Sequence, residues 1–578
     1  MAYVTYISGP VVKAALENED VKLYELAFVG RDALVAEVVE VSAEEATLQV
    51  YEKSEGMRLK EEVRFSGEMF SAYLGPGLLG RVFDGIQRPL EEMGERIGRG
   101  VSPYPLERDR VFRFRPCVER GSRLFAGEIF GEVDEFGLSH RLMLPPGMEG
   151  AVEYIAPEGE YRIEDEILRL EGGFSMGMVQ KMPLRTPRAF VRRESPKEPL
   201  LTGQRIIDFL FPIAKGGAAS IPGGFGTGKT ILQQTLAKWS DADVIIYVGC
   251  GERGNEMTEV LEEFPELNDP RSGKKLIERT VLIANTSDMP VSARGASILL
   301  GLTIAEYYRD MGYHVALMAD STSRWAEAMR EISGRLNELP AEEGFPAYLA
   351  SSIAAVYERA ARVETLAGGV GSVTIVGAVS PPGGDLSEPV TRNTRRYTNA
   401  FWALDRELAD SRFFPAINYS QSYSAYAETL KEWWMKEDKE APALREWMLS
   451  LLQEDSALQK IVKLLGSEAL PEEQKLTVET AFIVKELFLQ QNAFDEVDAY
   501  SSAERMVKMA SVIKRLHELW VRCHKEQRIP VDVLKSQPVV AELLRSKYEI
   551  KNGEAEKYDE LAKRIEERYD TLAREYGG

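Results

Sequence analysis

The eight residues at 223–230, Gly-Gly-Phe-Gly-Thr-Gly-Lys-Thr, constrain the fold of this chain more than any other segment. They match the complete pattern G-x-x-x-x-G-K-[ST], in which glycines let successive backbone N–H groups point into one concavity. A helix is expected next, because the positive end of its dipole helps to hold an anion there. The pattern therefore predicts a phosphate-binding loop between a strand at 218–221 and a helix at 230–238.

The residue types of this loop predict its contacts. Its backbone N–H groups are expected to surround the phosphates, the Lys229 ammonium to reach the β- and γ-phosphates, and the Thr230 hydroxyl to coordinate Mg²⁺. The ligands implied are ATP or ADP together with Mg²⁺. The predicted phosphate-binding residues are Gly223, Gly224, Phe225, Gly226, Thr227, Gly228, Lys229 and Thr230.

Two apolar segments are predicted to bring acidic residues to one edge of a sheet. A strand at 315–319 ends at Asp320, and a strand at 244–248 leads into Gly-Cys-Gly-Glu-Arg-Gly-Asn-Glu at 249–256. Ligands of open α/β sheets bind at the carboxyl ends of the strands. Asp320 is therefore the candidate carboxylate for Mg²⁺, and the alternative is that it caps the next helix.

Four further charged residues are candidates for the chemistry. Glu252 is expected to polarise the attacking water, since positioning the water matters more than proton abstraction in a loose phosphoryl transition state. Arg253 is expected to sense the γ-phosphate or orient Glu252. Glu256 is expected to order water around Mg²⁺, and Arg324 to face the phosphates. For Glu252, Arg253 and Glu256 the alternative is an ordinary surface charge, and for Arg324 it is a structural salt bridge.

The pattern of apolar and turn-forming residues changes along the chain and suggests four parts. Short β-like runs separated by turn residues fill 1–72 and predict a small barrel or sandwich. A second turn-rich β segment at 110–190 interrupts a region at 73–109 and 191–430. From about residue 195 that region alternates apolar strands with helical patterns, as parallel sheets covered on both faces do. Residues 431–578 are predicted to be helical.

The last helical segment has one apolar stripe on an otherwise charged surface. Its apolar residues recur at spacings of three and four, which predicts packing within the C-terminal domain rather than a surface for a partner. The stripe comprises Tyr558, Leu561, Ala562, Ile565, Tyr569, Leu572 and Tyr576.

Composition narrows the class of protein. The net charge of −21 argues against binding nucleic acid, because phosphate contacts need a basic face. The three cysteines, Cys117, Cys250 and Cys523, form no C-x-x-C pair, so a reducing intracellular compartment is expected. We find no secretory signal and no apolar run of the ~18–20 residues that span a bilayer. A soluble chain is predicted, which can still be a peripheral part of a membrane machine.

Several motifs in the same order resemble the catalytic A subunit of the V/A-type rotary ATPases over nearly the whole chain. They include Thr-Gly-Gln-Arg-Ile-Ile-Asp at 202–208, the phosphate-binding loop and Val-Gly-Cys-Gly-Glu-Arg-Gly-Asn-Glu-Met at 248–257. Further along come Met-Ala-Asp-Ser-Thr-Ser-Arg-Trp-Ala-Glu-Ala at 318–328, Ser-Pro-Pro-Gly-Gly-Asp at 380–385 and Phe-Leu-Gln-Gln-Asn-Ala-Phe at 488–494. The signature P-[SAP]-[LIV]-[DNH]-x-x-x-S-x-S is complete at 415–424.

This resemblance implies a multidomain α/β fold with an N-terminal β-barrel, a RecA-like P-loop core with an inserted β domain, and a C-terminal helical domain. It implies a cytoplasmic ring of three such A chains alternating with three B subunits in an A3B3 hexamer. The B subunit would supply an arginine finger, and central and peripheral stalks would connect the ring to the sector that moves H⁺ or Na⁺. Contact with the membrane is expected only through that ion-translocating sector. The same residues would serve ATP hydrolysis and ATP synthesis.

The resemblance also implies roles for particular residues. Glu252 would activate water, Arg253 and Arg324 would contact phosphates, and Asp320 with Glu256 would organise Mg²⁺. Adenine is expected between the rings of Phe414 and Phe494, an arrangement that suits recognition by stacking. The alternative for both rings is ordinary core packing.

Other members of the wider family fit less well. The B subunit typically lacks the intact lysine-bearing loop and the water-activating glutamate, while the flagellar and type III export ATPases and the F-type β subunit lack the β insertion. The terminator Rho would need a basic channel. Thr227 stands where eukaryotic A subunits carry a redox cysteine, so a disulfide switch is not expected. Gly224, Gly295 and Ser352 also depart from the usual residues. Two competing hypotheses are an assembly subunit with structural ATP and an RNA-dependent motor.

Overall fold

A computed structural model describes residues 2–94 and 98–577, without the side chain of Glu259. The chain divides into two compact units. Unit 1 comprises Met1–Ser195, Lys215–Ser220 and Ala242–Thr398, and unit 2 comprises Pro196–Ala214, Ile221–Asp241 and Asn399–Gly578. Within the described residues, no helix combines the length and the apolar character needed to cross a bilayer.

Unit 1 begins with a closed six-stranded barrel in the order β1-β2-β5-β4-β3-β6. Successive side chains of a strand point to opposite faces, and in β3 buried residues alternate with half-buried ones. The strands are β1 (Ala2–Ser8), β2 (Val11–Ala15), β3 (Glu25–Val29), β4 (Leu34–Val41), β5 (Glu45–Val50) and β6 (Glu62–Met69). The predicted barrel is confirmed.

The next part of unit 1 contains two four-stranded antiparallel sheets. Their strand orders are β10-β13-β15-β16 and β12-β11-β9-β14, while β7 and β17 pair with each other. The strands are β7 (Ser71–Leu74), β9 (Val111–Pro116), β10 (Arg123–Leu124), β11 (Ile129–Glu135), β12 (Leu138–Met143), β13 (Gly150–Ile155), β14 (Gly159–Arg162), β15 (Leu168–Leu170), β16 (Ser175–Met176) and β17 (Gln180–Pro183). This segment is β-rich, as its turn-rich sequence predicts.

A mostly parallel sheet forms the centre of unit 1. Strands β24, β22, β20, β21 and β8 run parallel in that order, and β23 and β18 add an antiparallel edge. The bounds are β8 (Val82–Phe83), β18 (Arg192–Glu194), β20 (Val244–Cys250), β21 (Thr280–Asn285), β22 (His314–Asp320), β23 (Ala361–Glu364) and β24 (Val370–Val379). The strands predicted at 244–248 and 315–319 are confirmed. Their β-branched and apolar residues are buried on both faces.

Five α-helices accompany this sheet. They are α2 (Gly254–Glu266), α3 (Val291–Asp310), α4 (Thr322–Arg335), α5 (Leu349–Tyr357) and α6 (Pro389–Tyr397). Helix α3 is buried along nearly its whole length and contains Gly295, while Ser352 lies in α5. The strand β19 (Ala218–Pro222) starts in unit 1, where the Ile375 N–H donates to the Gly217 carbonyl.

Unit 2 contains the helix α1 (Lys229–Trp239), a short antiparallel pair and a helical C-terminal part. Its other elements are β25 (Ala400–Phe401), β26 (Tyr423–Ser424), α7 (Arg406–Asp410), α8 (Tyr426–Thr429), α9 (Lys431–Glu437), α10 (Ala441–Leu465), α11 (Glu472–Ile483), α12 (Ala503–Gln527), α13 (Val531–Lys535), α14 (Pro538–Glu549) and α15 (Glu556–Gly577). Two π-helical segments lie at Ile206–Leu210 and Val484–Leu489. The predicted helical C-terminal domain is confirmed.

The apolar stripe of α15 packs inside unit 2, with one exception. Tyr558, Leu561, Ile565, Tyr569 and Leu572 are buried, and the Trp520 indole N–H of α12 donates to the Tyr569 hydroxyl at 2.7 Å. Ala562 is half-buried. Tyr576 is 48% exposed, so its prediction as part of the buried stripe is wrong. It lies in the last turn of the helix, beyond the last buried stripe residue.

Candidate active site

The phosphate-binding loop lies between β19 and α1 in the predicted order. Helix α1 begins at Lys229, and Gly228 before it has φ +87°, a left-handed conformation that favours glycine. At Gly223 a Cβ atom would lie 2.6 Å from the Thr227 Oγ1 and 2.9 Å from the Leu404 Cβ, so a side chain would not fit. The predicted strand and helix are confirmed, and the loop closes tightly at its start.

Two side chains of this loop bond back to its own backbone. The Lys229 ammonium donates to the carbonyls of Gly223 and Gly224, both at 2.8 Å. The Thr227 hydroxyl donates to the Gly224 carbonyl at 2.9 Å and is only 2% exposed, so it braces the loop from inside. Phe225 is exposed, as is Gly226, while Thr230 is half-buried in the first turn of α1. The contacts of Lys229 and Thr230 with phosphate and metal remain predictions.

A cavity of about 340 Å³ adjoins this loop within unit 2. Thr227, Gly228 and Ile231 line it on the side of the loop, and Phe414 and Phe494 are among its other lining residues. Phe414 is 42% and Phe494 is 90% exposed, so the alternative of core packing is wrong for both rings. Two exposed aromatic rings around a partly apolar cavity suit a planar base that binds by stacking.

Other residues that line the cavity were not predicted from the sequence. Tyr548 of α14 and Arg412 line it, together with Gln490 and Gln491. The two glutamines belong to the motif at 488–494. Nothing in the spacing or composition around Tyr548 and Arg412 marks them, because their approach to the cavity depends on the packing of unit 2.

The acidic candidates lie at the carboxyl ends of two neighbouring strands in unit 1. In the parallel pair β20–β22, Gly249 is in register with Asp320, and Glu252 follows the end of β20. The Ser287 N–H donates to the Glu252 carbonyl at 2.9 Å and fixes the backbone there. Asp320 is 2% exposed and ends β22, as predicted, while the cap position of α4 belongs to Ser321.

The charges at this edge change the acidity of Glu252. Burial raises the pKa of its carboxyl to about 7, and the negative charges of Asp320 and Glu256 act in the same direction. The Arg324 guanidinium opposes them. A carboxyl group with a pKa near neutrality can exchange a proton with water at physiological pH. This property distinguishes Glu252 from an ordinary surface glutamate.

The remaining candidates are Arg253, Glu256 and Arg324, which differ in exposure and in their contacts. Arg253 is exposed and precedes α2, and Glu256 lies half-buried in the first turn of that helix, where the helix dipole favours a negative charge. Arg324 of α4 pairs with Glu327, its Nη1 lying 2.9 Å from the Oε2. The structural salt bridge considered as the alternative for Arg324 is therefore present. Its contact with phosphate remains a prediction.

Four family models match successive parts of the chain. The ATP synthase alpha/beta family beta-barrel domain matches residues 4–67, and the ATP synthase alpha/beta subunit barrel-sandwich domain matches 103–185. The ATP synthase alpha/beta family nucleotide-binding domain matches 203–424. The C-terminal domain of V and A type ATP synthase matches 430–529.

Similar proteins span the whole chain. The A subunit of the A-type ATP synthase of Methanopyrus kandleri is 51% identical, covering 99% of this chain and 98% of that protein. The V-type ATP synthase alpha chain of Halothermothrix orenii is 50% identical, with 99% of each covered. Among solved structures, the assembled ATPase EscN of the enteropathogenic E. coli type III secretion system has a TM-score of 0.64. It is 23% identical and covers 89% of this chain and 100% of EscN, a likeness of fold alone.

Proposed function

This chain belongs to the family of A-type ATP synthase A subunits and V-type ATP synthase alpha chains, and from that membership we propose that it is the catalytic subunit of a rotary ATPase. It hydrolyses or synthesises ATP and couples that reaction to rotation of a stalk and to transport of H⁺ or Na⁺. The observation that carries this proposal is the phosphate-binding loop with the adjoining aromatic cavity in unit 2.

In this proposal unit 2 holds the nucleotide. The loop backbone binds the phosphates from Gly223 to Thr230, and the Lys229 ammonium exchanges its two carbonyl partners for phosphate oxygens. The purine stacks on Phe414 and Phe494. Binding of the base and of the phosphates is thus divided between the cavity and the loop.

Unit 1 supplies the groups for the reaction with water. Glu252 accepts a hydrogen bond from the attacking water and orients it, and above its pKa of about 7 the carboxylate is charged and able to do so. Below that pH the protonated carboxyl loses this function. Arg253 and Arg324 stabilise charge on the phosphates, for which Arg324 must exchange its bond with Glu327.

The donor set fits Mg²⁺. Thr230 offers a hydroxyl, Asp320 a buried carboxylate and Glu256 a half-buried one that acts through water. Among the described residues no three His, Cys, Asp or Glu side chains form a closed metal cage. Mg²⁺ does not need one, because it keeps several waters and binds through one or two carboxylates together with substrate phosphates. When bound, the ion neutralises charge on the phosphate oxygens.

Membership of the family implies assembly with other subunits of a rotary ATPase complex. We propose that the chain alternates with B subunits in an A3B3 ring, attached to a membrane sector by central and peripheral stalks. The B subunit supplies an arginine finger, a contribution worth about 10³–10⁵-fold in turnover in other phosphate-loop enzymes. The lone chain is therefore expected to hydrolyse ATP slowly. Equal turnover by the lone chain and by the reconstituted ring would contradict the finger in trans.

Phosphate release by the reconstituted ring tests the proposed activity. Replacing Lys229 with Ala removes the ammonium from the loop and is expected to lower ATP turnover by about 10²–10³-fold. Lys238→Ala, at the other end of α1, is the matched control and should leave turnover unchanged. Phosphate release that does not depend on Lys229 would refute catalysis by this loop and favour a structural role for ATP.

A further inference from the structure

A buried ion pair in unit 2 lies behind the aromatic cavity and has no part in the roles assigned so far. The Arg205 Nη1 lies 2.6 Å from the Asp498 Oδ1, and both side chains are fully buried. Arg205 belongs to the segment 202–208, and Asp498 follows Phe494 by four residues. Such a pair is weak evidence for added stability, because removing both charges from water offsets their attraction. A role in positioning gives a better account of it.

Three further hydrogen bonds of Arg205 reach the segment that leads to Phe494, and its Nη1 also donates to the Ser501 hydroxyl at 3.0 Å. Its Nε donates to the Phe488 carbonyl at 2.8 Å and its Nη2 to the Gln490 carbonyl at 2.6 Å. Its backbone N–H donates to the Gln491 side-chain oxygen at 2.9 Å. The planar guanidinium spreads its donors in a fixed fork, so these contacts constrain direction as well as distance.

Asp498 and Gln491 make further hydrogen bonds that hold the segment 490–494 in place. The Asp498 Oδ2 accepts from the Asn492 N–H at 2.8 Å, and the Asn492 Oδ1 accepts from the Phe494 N–H at 3.0 Å. The backbone N–H of Gln491 donates to the Phe414 carbonyl at 2.8 Å. The segment that carries one aromatic ring is therefore bonded to the backbone of the other ring.

Lys547 holds the same segment from α14. Its ammonium donates to the Glu486 carbonyl at 2.6 Å and approaches the Gln490 carbonyl, the acceptor of Arg205, at 3.4 Å. The next residue, Tyr548, lines the cavity. Gln490, Asn492 and Phe494 also line it, whereas Arg205 and Asp498 are buried behind them.

We propose that the Arg205–Asp498 ion pair is the positioning device of the nucleobase site. It fixes the segment 490–494 so that the ring of Phe494 stays beside that of Phe414. In this way it sets the affinity for a purine nucleotide without touching it. The proposal rests on the proposed function, which places the base in this cavity.

Binding calorimetry on the full-length chain tests the proposal with two probes. A non-hydrolysable ATP analogue reports on base and phosphates together, and inorganic tripolyphosphate reports on the phosphate-binding loop alone. Asp498→Asn keeps the shape of the side chain and removes its charge. We expect it to weaken binding of the ATP analogue by about fivefold or more, as when the stacking of one base is impaired. Binding of tripolyphosphate should not change.

Asp455→Asn is the matched control. Asp455 of α10 is also a fully buried carboxylate of unit 2, paired with Lys485 and accepting from the Gln459 amide at 2.9 Å. It has no hydrogen bond with the segment 490–494 among the described residues. The same chemical change there should leave the affinity for both probes unchanged.

A double-mutant cycle with Phe494→Ala distinguishes positioning from general damage. If Asp498 acts through the ring of Phe494, the double variant should bind the ATP analogue no more weakly than Phe494→Ala alone. Additive losses, or equal losses for both probes in Asp498→Asn, would overturn the positioning role. So would an unchanged affinity in Asp498→Asn when Phe494→Ala weakens binding. An unchanged affinity in Phe494→Ala would instead refute the base site itself.

Arg205→Lys keeps the test decisive if Asp498→Asn fails to fold. Lysine retains a positive charge opposite Asp498 but loses the fork that reaches the carbonyls of Phe488 and Gln490. We expect a folded chain whose affinity for the ATP analogue falls by about twofold to fivefold, with tripolyphosphate unaffected. A folded Arg205→Lys chain with wild-type affinity for the ATP analogue would overturn the proposal.

Discussion

Around Arg205 and Asp498 in unit 2 a buried positive charge meets a negative one, whereas at the sheet edge of unit 1 the carboxylates of Glu252, Glu256 and Asp320 repel one another. The Arg205 guanidinium also donates short hydrogen bonds to two backbone carbonyls, an arrangement that suits a rigid wall of a ligand site. Burial, together with the neighbouring carboxylates, raises the pKa of Glu252 to about 7, which suits a group that orients water and a place for a divalent cation. In the proposed function, this difference separates the unit that holds the nucleotide from the unit that reacts with it.

Removal of the Phe494 ring is expected to have the largest effect on nucleotide binding by unit 2. Phe494→Ala removes a 90% exposed ring that lines the cavity and is expected to weaken ATP binding by about 5–150-fold. Phe482→Ala, an exposed ring of α11, is the matched control. Calorimetric titration with ATP measures both. Equal affinities in the two variants would remove the cavity from the binding site.

The pH dependence of ATP hydrolysis tests the proposed role of Glu252 in unit 1. Because the pKa of Glu252 is raised to about 7, the carboxylate forms only above that value, and turnover should fall as the pH drops through about 7. Glu256→Gln removes a negative charge that raises this pKa, so the midpoint of the acid limb should move to lower pH. Initial rates between pH 5 and 9 measure the shift.

Glu262→Gln, farther along α2 and exposed, is the control for that shift. Its pH profile should match that of the wild-type chain. A midpoint that stays fixed in Glu256→Gln, or that moves to higher pH, would contradict the contribution of the Glu256 charge to the Glu252 pKa.

The smallest expected effect concerns the packing of α3 in unit 1. A Cβ at Gly295 would have only the Gln49 Nε2 nearby, at 4.0 Å, so Gly295→Ala should stabilise the chain by about 0.5–1 kcal/mol. A Cβ at Gly301 of the same helix would lie 2.7 Å from the Val248 Cγ2, so Gly301→Ala should destabilise it by about 1–3 kcal/mol. Thermal melting compares the two variants. Shifts of the same sign would contradict this description of the helix.

Much of the fold could be predicted from the sequence because its signals are local. The loop at 223–230 has a fixed pattern of residues, and the central strands are short β-branched runs that end at turn residues. The position of Asp320 at the end of β22 followed from the same run. The helical C-terminal part followed from spacings of three and four, with the exception of Tyr576 at the end of α15.

The supports of the cavity could not be predicted in this way. Arg205 and Asp498 are 293 residues apart in sequence, and although Arg205 lies in the motif at 202–208, no pattern in the sequence pairs it with Asp498. Tyr548 reaches the cavity only because α14 packs against the segment that contains Glu486 and Gln490. The exposure of Phe414 and Phe494 likewise depends on packing. Sequence patterns indicate faces and termini of elements, whereas these contacts depend on how distant elements meet.

Glu252→Gln tests the division between holding and reacting most directly. The change keeps the size of the side chain and removes the carboxylate, so the reconstituted ring should lose at least about 100-fold in steady-state phosphate release. Binding of ATP to the same variant should retain wild-type affinity, because the loop and the cavity of unit 2 are unchanged. Undiminished phosphate release, or loss of ATP binding together with turnover, would contradict the account.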